Sequence, residues 1–154
     1  MSAEVLLDTN VLIYAHDDDC PQKQRVAQEL MASLRGSRRA SVSAQVLGEY
    51  ASVVARRFRD VIPSTDLQVQ LARFVRMFTV HPNTAGVVIE AVRGTWRHGF
   101  SYYDAQIWAV AKVNGIPLVY SEDFTHGREV EGVRFENPFI DLGQSDARDC
   151  EPES

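Results

Sequence analysis

Four carboxylates stand where strand-like apolar runs give way to helix or loop: Asp8, Glu49, Asp104 and Asp123. Asp8 ends Val5-Leu6-Leu7 and opens Asp8-Thr9-Asn10. Glu49 lies in Val46-Leu47-Gly48-Glu49-Tyr50, soon after the short run from Ala40 to Ser43. Asp104 opens Asp104-Ala105-Gln106-Ile107-Trp108, and Asp123 follows Leu118-Val119-Tyr120 in Ser121-Glu122-Asp123. In an open α/β sheet the carboxyl ends of the strands line one crevice, and ligands sit there. Acids far apart in sequence would meet on that rim. Two unit charges about 4 Å apart repel by about 4 kcal/mol at an effective dielectric near 20. A hard divalent cation with a preference for oxygen removes that cost, which points to Mg²⁺ or Mn²⁺. The four histidines are scattered and offer no zinc-type spacing. Each acid also has a plainer reading. Asp104 completes a capping-box spacing with Ser101, Asp8 and Asp123 suit turns, and Glu49 suits a solvated helix face.

The elements that must position these acids read as alternating strands and helices. Strands are expected at about 4–9, 40–43, 78–80, 116–121 and 133–135. Helices are expected through Val11 to Ala15, from Pro21 to Leu34, from Ser43 to Phe58, from Thr65 to Val75, from Thr84 (capped by Asn83) to Arg97, and from Ser101 to Asn114. Alternation of this kind implies parallel pairing with right-handed crossovers, an α/β fold. Trp96 and Trp108 are read as core. Tyr102 and Tyr103 could stack a base, but packing of the helix start is the favoured reading. Phe58, Phe74, Met77 and Phe78 are expected to border an exposed apolar groove between the two middle helices.

The 154 residues suit one domain over 1–142, followed by an acidic tail over 143–154 that is expected to be disordered. With 45% hydrophobic and 24% charged residues the chain has an ordinary globular balance. It contains no run long enough for a membrane span, and its start lacks a secretory pattern. Cys20 and Cys150 show no metal spacing and no disulfide framework, so a cytoplasmic setting is expected. The net charge of −5 argues at first against nucleic acid. The tail carries −3 of it, and setting aside the tail and the four acids leaves a body of +2. Fourteen of the sixteen basic residues are arginine, the side chain that grips phosphate bidentately.

With these motifs in order, the chain resembles the PIN-domain family, and within it the VapC-type ribonuclease toxins of toxin–antitoxin pairs. The resemblance runs from Leu6 to Phe139. It is carried by Leu7-Asp8-Thr9-Asn10-Val11-Leu12, Glu49, Tyr103-Asp104-Ala105-Gln106-Ile107, Tyr120-Ser121-Glu122-Asp123-Phe124 and Asn137-Pro138-Phe139. It implies a three-layer fold, a central mostly parallel sheet of four to five strands flanked by helices. It further implies an endoribonuclease dependent on one or two Mg²⁺ or Mn²⁺ ions, acting on RNA, homodimeric, and neutralised by a small antitoxin. Asp8, Asp104 and Asp123 would hold metal, Glu49 would join them or orient water, and Asn10 and Ser121 would support the acids. Ser121 stands where many relatives have threonine, so the hydroxyl is kept. A haloacid-dehalogenase-like phosphatase would want an Asp where Asn10 stands. A phosphorylatable signalling domain would want a lysine at the end of a late strand, whereas Lys23 and Lys112 both read as helical. The rival from another class is a PIN-like module that binds RNA or a partner without cutting.

Overall fold

The structure, a computed structural model, describes residues 4–60 and 62–142. The expected tail over 143–154 lies outside them. The order of elements is β1 (Val5–Leu7), α1 (Thr9–Tyr14), α2 (Pro21–Leu34), β2 (Ala40–Ser43), α3 (Ala44–Arg57), α4 (Ser64–Met77), β3 (Thr79–His81), α5 (Ala85–His98), α6 (Tyr102–Val113), β4 (Leu118–Tyr120), β5 (Glu129–Val130) and β6 (Val133–Glu136).

The described strands form one sheet in the order β3-β2-β1-β4-β6-β5. Every neighbouring pair is parallel except the β5–β6 hairpin. Val5 pairs with both Ala40 and Leu118, and Leu7 pairs with Tyr120. All three residues of β1 are buried, as a central strand covered on both faces requires. The sheet has six strands where four to five were expected. The extra one, β5, is two residues long and too short to show an alternating pattern. It joins β6 through Glu131 and Gly132, both at positive φ, the backbone a tight hairpin turn demands. From β1 the chain runs outward through β2 and β3, then crosses to β4 on the opposite side. The strand order therefore reverses between β1 and β4, and a crevice opens at their carboxyl ends.

Several helix starts follow from side-chain caps, each supplying an acceptor for an unpaired backbone N–H. Asp8 accepts from Thr9 N ahead of α1, Ser43 from Val46 N ahead of α3, and Ser101 from Asp104 N ahead of α6. Thr84, rather than the expected Asn83, caps α5. Gly99 ends α5 at φ 71°.

The core centres on β1, α6 and the inner faces of the other helices. Trp108 is fully buried and donates its indole N–H to Val130 O at 3.1 Å. Trp96, expected beside it, is instead 88% exposed. The inner face of α5 is made by Val87, Ala91 and Gly94, and a residue two positions past Gly94 points to the opposite side. Phe74 and Phe78 lie in the core rather than along a groove. Cys20 is buried and disulfide-bonded, which corrects the expectation that the cysteines form no disulfide framework. Among the described residues no helix is long and apolar enough to cross a membrane.

Candidate active site

Asp8 leaves the end of β1 and Asp123 follows β4, one on each side of the switch point. Glu49 comes from α3 and Asp104 from the first turn of α6. All four line one open cavity of about 910 Å³. The fold thus brings together the four acids singled out in the sequence.

Asp8 is the most enclosed of them, at 9% exposure. Its two oxygens take the backbone N–H of Thr9 at 2.7 Å and the hydroxyl of Ser121 at 2.6 Å. Burial, with Asp123 and Glu49 nearby, nevertheless pushes its carboxyl up from 3.8 to about 7 against the pull of those two donors. Asp123 stands more open. Partial burial, Asp104, Glu122 and Glu49 raise it as well, and the Asn10 amide opposes them. Asp8 and Asp123 are therefore both pushed up, first by burial and then by neighbouring carboxylates.

Side chains around the acids fix their orientation. Ser121, fully buried, also accepts the backbone N–H of Asp123 at 3.1 Å, so one hydroxyl ties Asp8 to the turn carrying Asp123. Asn10 donates its amide to Asp123 at 3.3 Å. Two supports were missed in the sequence. Thr9 donates its hydroxyl to Glu49 at 3.0 Å, and Gln45 donates its amide to the other Glu49 oxygen at 2.7 Å. Gln45 could have been found, since it lies one helical turn before Glu49 on the same face of α3. Thr9 could not, because its partner comes from a distant element. Behind the turn, Glu122 receives Tyr14 at 2.7 Å and Lys23 at 3.0 Å, which keeps its charge matched beside Asp123.

The donor set suits a hard divalent ion. It is all oxygen and anionic, and the carbonyl oxygens of Asn10 and Gln45 are buried without a hydrogen-bond partner. Among the described residues, however, no three acidic, imidazole or thiol groups converge closely enough to enclose an ion by themselves.

The PIN-domain family model matches residues 5–128. This chain belongs to the PIN-domain family. No curated protein matches it significantly in sequence. Solved structures share the PIN fold. A toxin–antitoxin complex from Klebsiella pneumoniae superposes with a TM-score of 0.63 at 17% identity, covering 88% of this chain and 98% of that one. DNA-bound VapBC from Salmonella typhimurium gives 0.64 at 20% identity, with 89% and 99% covered. VapC20 of Mycobacterium tuberculosis, a Sarcin-Ricin loop cleaving toxin, gives 0.58 at 23% identity, with 75% and 87% covered. At these identities the PIN-domain neighbours speak for the fold.

Proposed function

We propose that this PIN-domain protein is a Mg²⁺- or Mn²⁺-dependent endoribonuclease and the toxin of a toxin–antitoxin pair. The observation that carries the reading is the meeting of Asp8, Glu49, Asp104 and Asp123 in one cavity at the switch point of the sheet. Asp8, Asp104 and Asp123 would hold the ion or ions. A divalent ion there supplies Lewis-acid chemistry, acidifying water and offsetting charge on a phosphodiester. The protein's own part is positioning. Ser121 and the Thr9 N–H hold Asp8, Asn10 holds Asp123, and Thr9 with Gln45 hold Glu49 where it can orient the attacking water and take its proton.

The acids' spread favours a second reading, a PIN-like module that binds RNA or a partner without cutting. Incubating purified protein with RNA, with Mn²⁺ or with chelator, separates the two. The nuclease reading expects cleavage with Mn²⁺ alone and its loss in Asp104→Asn and Asp123→Asn, with circular dichroism unchanged. Mn²⁺ should also raise the melting temperature, since a ligand of the folded state stabilises by mass action. Asp104→Asn should shrink that rise. Folded protein that neither cuts nor responds to millimolar Mn²⁺ would sink the reading.

The partner side of the proposal rests on a groove of about 490 Å³ between α1, α3 and α4, lined by Ile13, Tyr50, Val54, Phe58 and Leu67 among others. Its mostly apolar wall suits an amphipathic segment of a small antitoxin. One neighbouring solved structure is described as a toxin–antitoxin complex and another as a DNA-bound VapBC, which supports this choice. For the homodimer, α5 offers Ile89, Val92 and Trp96, all exposed on one face. Expression of the chain alone should arrest growth, and co-expression of its antitoxin should restore it. Harmless expression of folded protein would remove the toxin role and leave the nuclease standing. Sedimentation of Trp96→Glu against wild type reports the dimer.

A further inference from the structure

We infer that the α6 side of the acidic cavity is a nucleobase subsite, in which Tyr102 and Tyr103 stack an unpaired RNA base and Gln106 reads its edge. The inference rests on the nuclease reading of the neighbouring acids. Its starting point is Gln106, which is 3% exposed and lines the cavity. Its side-chain amide makes no hydrogen bond with another described residue and is not among the buried unpaired polar atoms, so it opens onto the cavity. An amide that meets the cavity and no protein group keeps its donor and its acceptor for what enters there. The flanking residues Ala105, Ile107 and Trp108 are all buried apolar groups. Among these apolar neighbours Gln106 alone presents a donor and an acceptor to the cavity.

Helical spacing sets two aromatic rings beside it. Tyr102 and Tyr103 precede Gln106 by four and three residues, and such pairs are neighbours on a helix surface. Both rings line the same cavity, 38% and 67% exposed, with their centroids 5.4 Å apart in an edge arrangement. These rings are not packing the start of α6, as the sequence suggested. Exposed aromatic faces beside hydrogen-bonding groups are how proteins take unstacked bases of single-stranded RNA.

The charge pattern selects the base rather than the backbone. Among the described residues the cavity lining contains four acids and no lysine or arginine. Phosphate would be repelled away from a cation, whereas an uncharged base would not. A carboxamide offers a donor and an acceptor side by side, the complement of a base edge that presents one of each. A phosphate, which only accepts, cannot satisfy both.

Two measurements test the subsite. In the first, an RNA pool of random sequence is cut by wild type, Gln106→Leu and Tyr103→Ala, and the product ends are sequenced. Wild type should prefer one base at a position next to the cut. Gln106→Leu should lower that preference by about tenfold, the scale of one lost bidentate base contact, while still cutting. Tyr103→Ala, a change at a ring that is mostly exposed, should raise KM more than it lowers kcat. In the second, the metal-free full-length protein is titrated with adenosine, guanosine, cytidine and uridine while the Gln106 side-chain amide is followed by NMR. At least one nucleoside should shift that amide, and Tyr103→Ala should abolish the shift. Unchanged base preference in a folded, active Gln106→Leu variant overturns the inference, and so does an amide that responds to none of the nucleosides. A wild type that cuts no RNA overturns the nuclease reading instead, and the nucleoside titration still decides the subsite.

Discussion

Asp8→Asn is expected to stop RNA cleavage and, at the same time, make the metal-free protein harder to unfold at pH 8. The two effects have one cause. Asp8 is buried among other acids and its carboxyl is raised from 3.8 to about 7. Between those values the folded protein holds a proton that the unfolded chain has given up. The stability linked to that proton is fully present below about pH 4 and is lost as pH rises through 7. At pH 8 the wild type therefore carries the whole penalty, about 4 kcal/mol if about three pKa units convert at 1.36 kcal/mol each. Asparagine carries no charge and escapes it. It also accepts less strongly from Thr9 and Ser121, which returns about 1–2 kcal/mol of the gain. A net gain of about 2–3 kcal/mol should raise the melting temperature of a chain this size by roughly 5–10 °C. The same comparison at pH 4 should show almost no difference. Thermal melts of both proteins in chelator at the two pH values check the sign. A variant less stable than wild type at pH 8 would show that Asp8 is there for structure.

Gly94→Val is expected to be the most damaging change away from the acids. A Cβ at Gly94 would lie 2.7 Å and 2.8 Å from two carbons of the Trp108 ring. That ring has nowhere to retreat. It is fully buried, tied to Val130 O, and flanked by His98, Phe100 and the cations of Arg93 and Lys112. Those cations are held in turn by Glu90 and Glu131, whose carboxyls are drawn down to about 2, Glu90 first by Arg93 and Glu131 first by His98. Overpacking costs about 1–3 kcal/mol in an ordinary core, and a β-branched side chain against a pinned indole belongs at the upper end. A fall in melting temperature of roughly 6–12 °C follows. Gly86→Ala on the same helix is the control. There the new carbon meets only Thr84 Oγ1 at 3.7 Å, so helix propensity should leave it neutral or slightly stabilising. Equal effects at Gly86 and Gly94 would mean that backbone freedom, rather than the Trp108 contact, decides. Because α6 carries Asp104 and Gln106, a folded Gly94→Ala protein should also lose cleavage out of proportion to its lost stability.

The sequence by itself determined the parts of this protein that obey local rules. Val5-Leu6-Leu7 read as a strand, Ser43 and Ser101 could cap the helices that follow them, and the alternation of the elements implied a largely parallel sheet. Asp8 and Asp123 were legible because each stands at or just past the end of an apolar run, and the end of a strand is fixed along the chain. The tertiary structure decided whatever depends on elements distant in sequence. It placed Thr9 against Glu49 and Ser121 against Asp8, hydrogen bonds that no spacing encodes. It added β5, whose two residues become a strand only because β6 is there to pair with them. It also sorted the aromatics: Trp108 inward, Trp96 outward, and the tyrosines of α6 onto the cavity wall. Periodicity shows that a helix has an apolar face, but only packing settles which apolar residues that face buries. A strand end shows where an acid stands along the chain, but only the packed fold raises the carboxyl of Asp8, by burying it and setting other acids beside it.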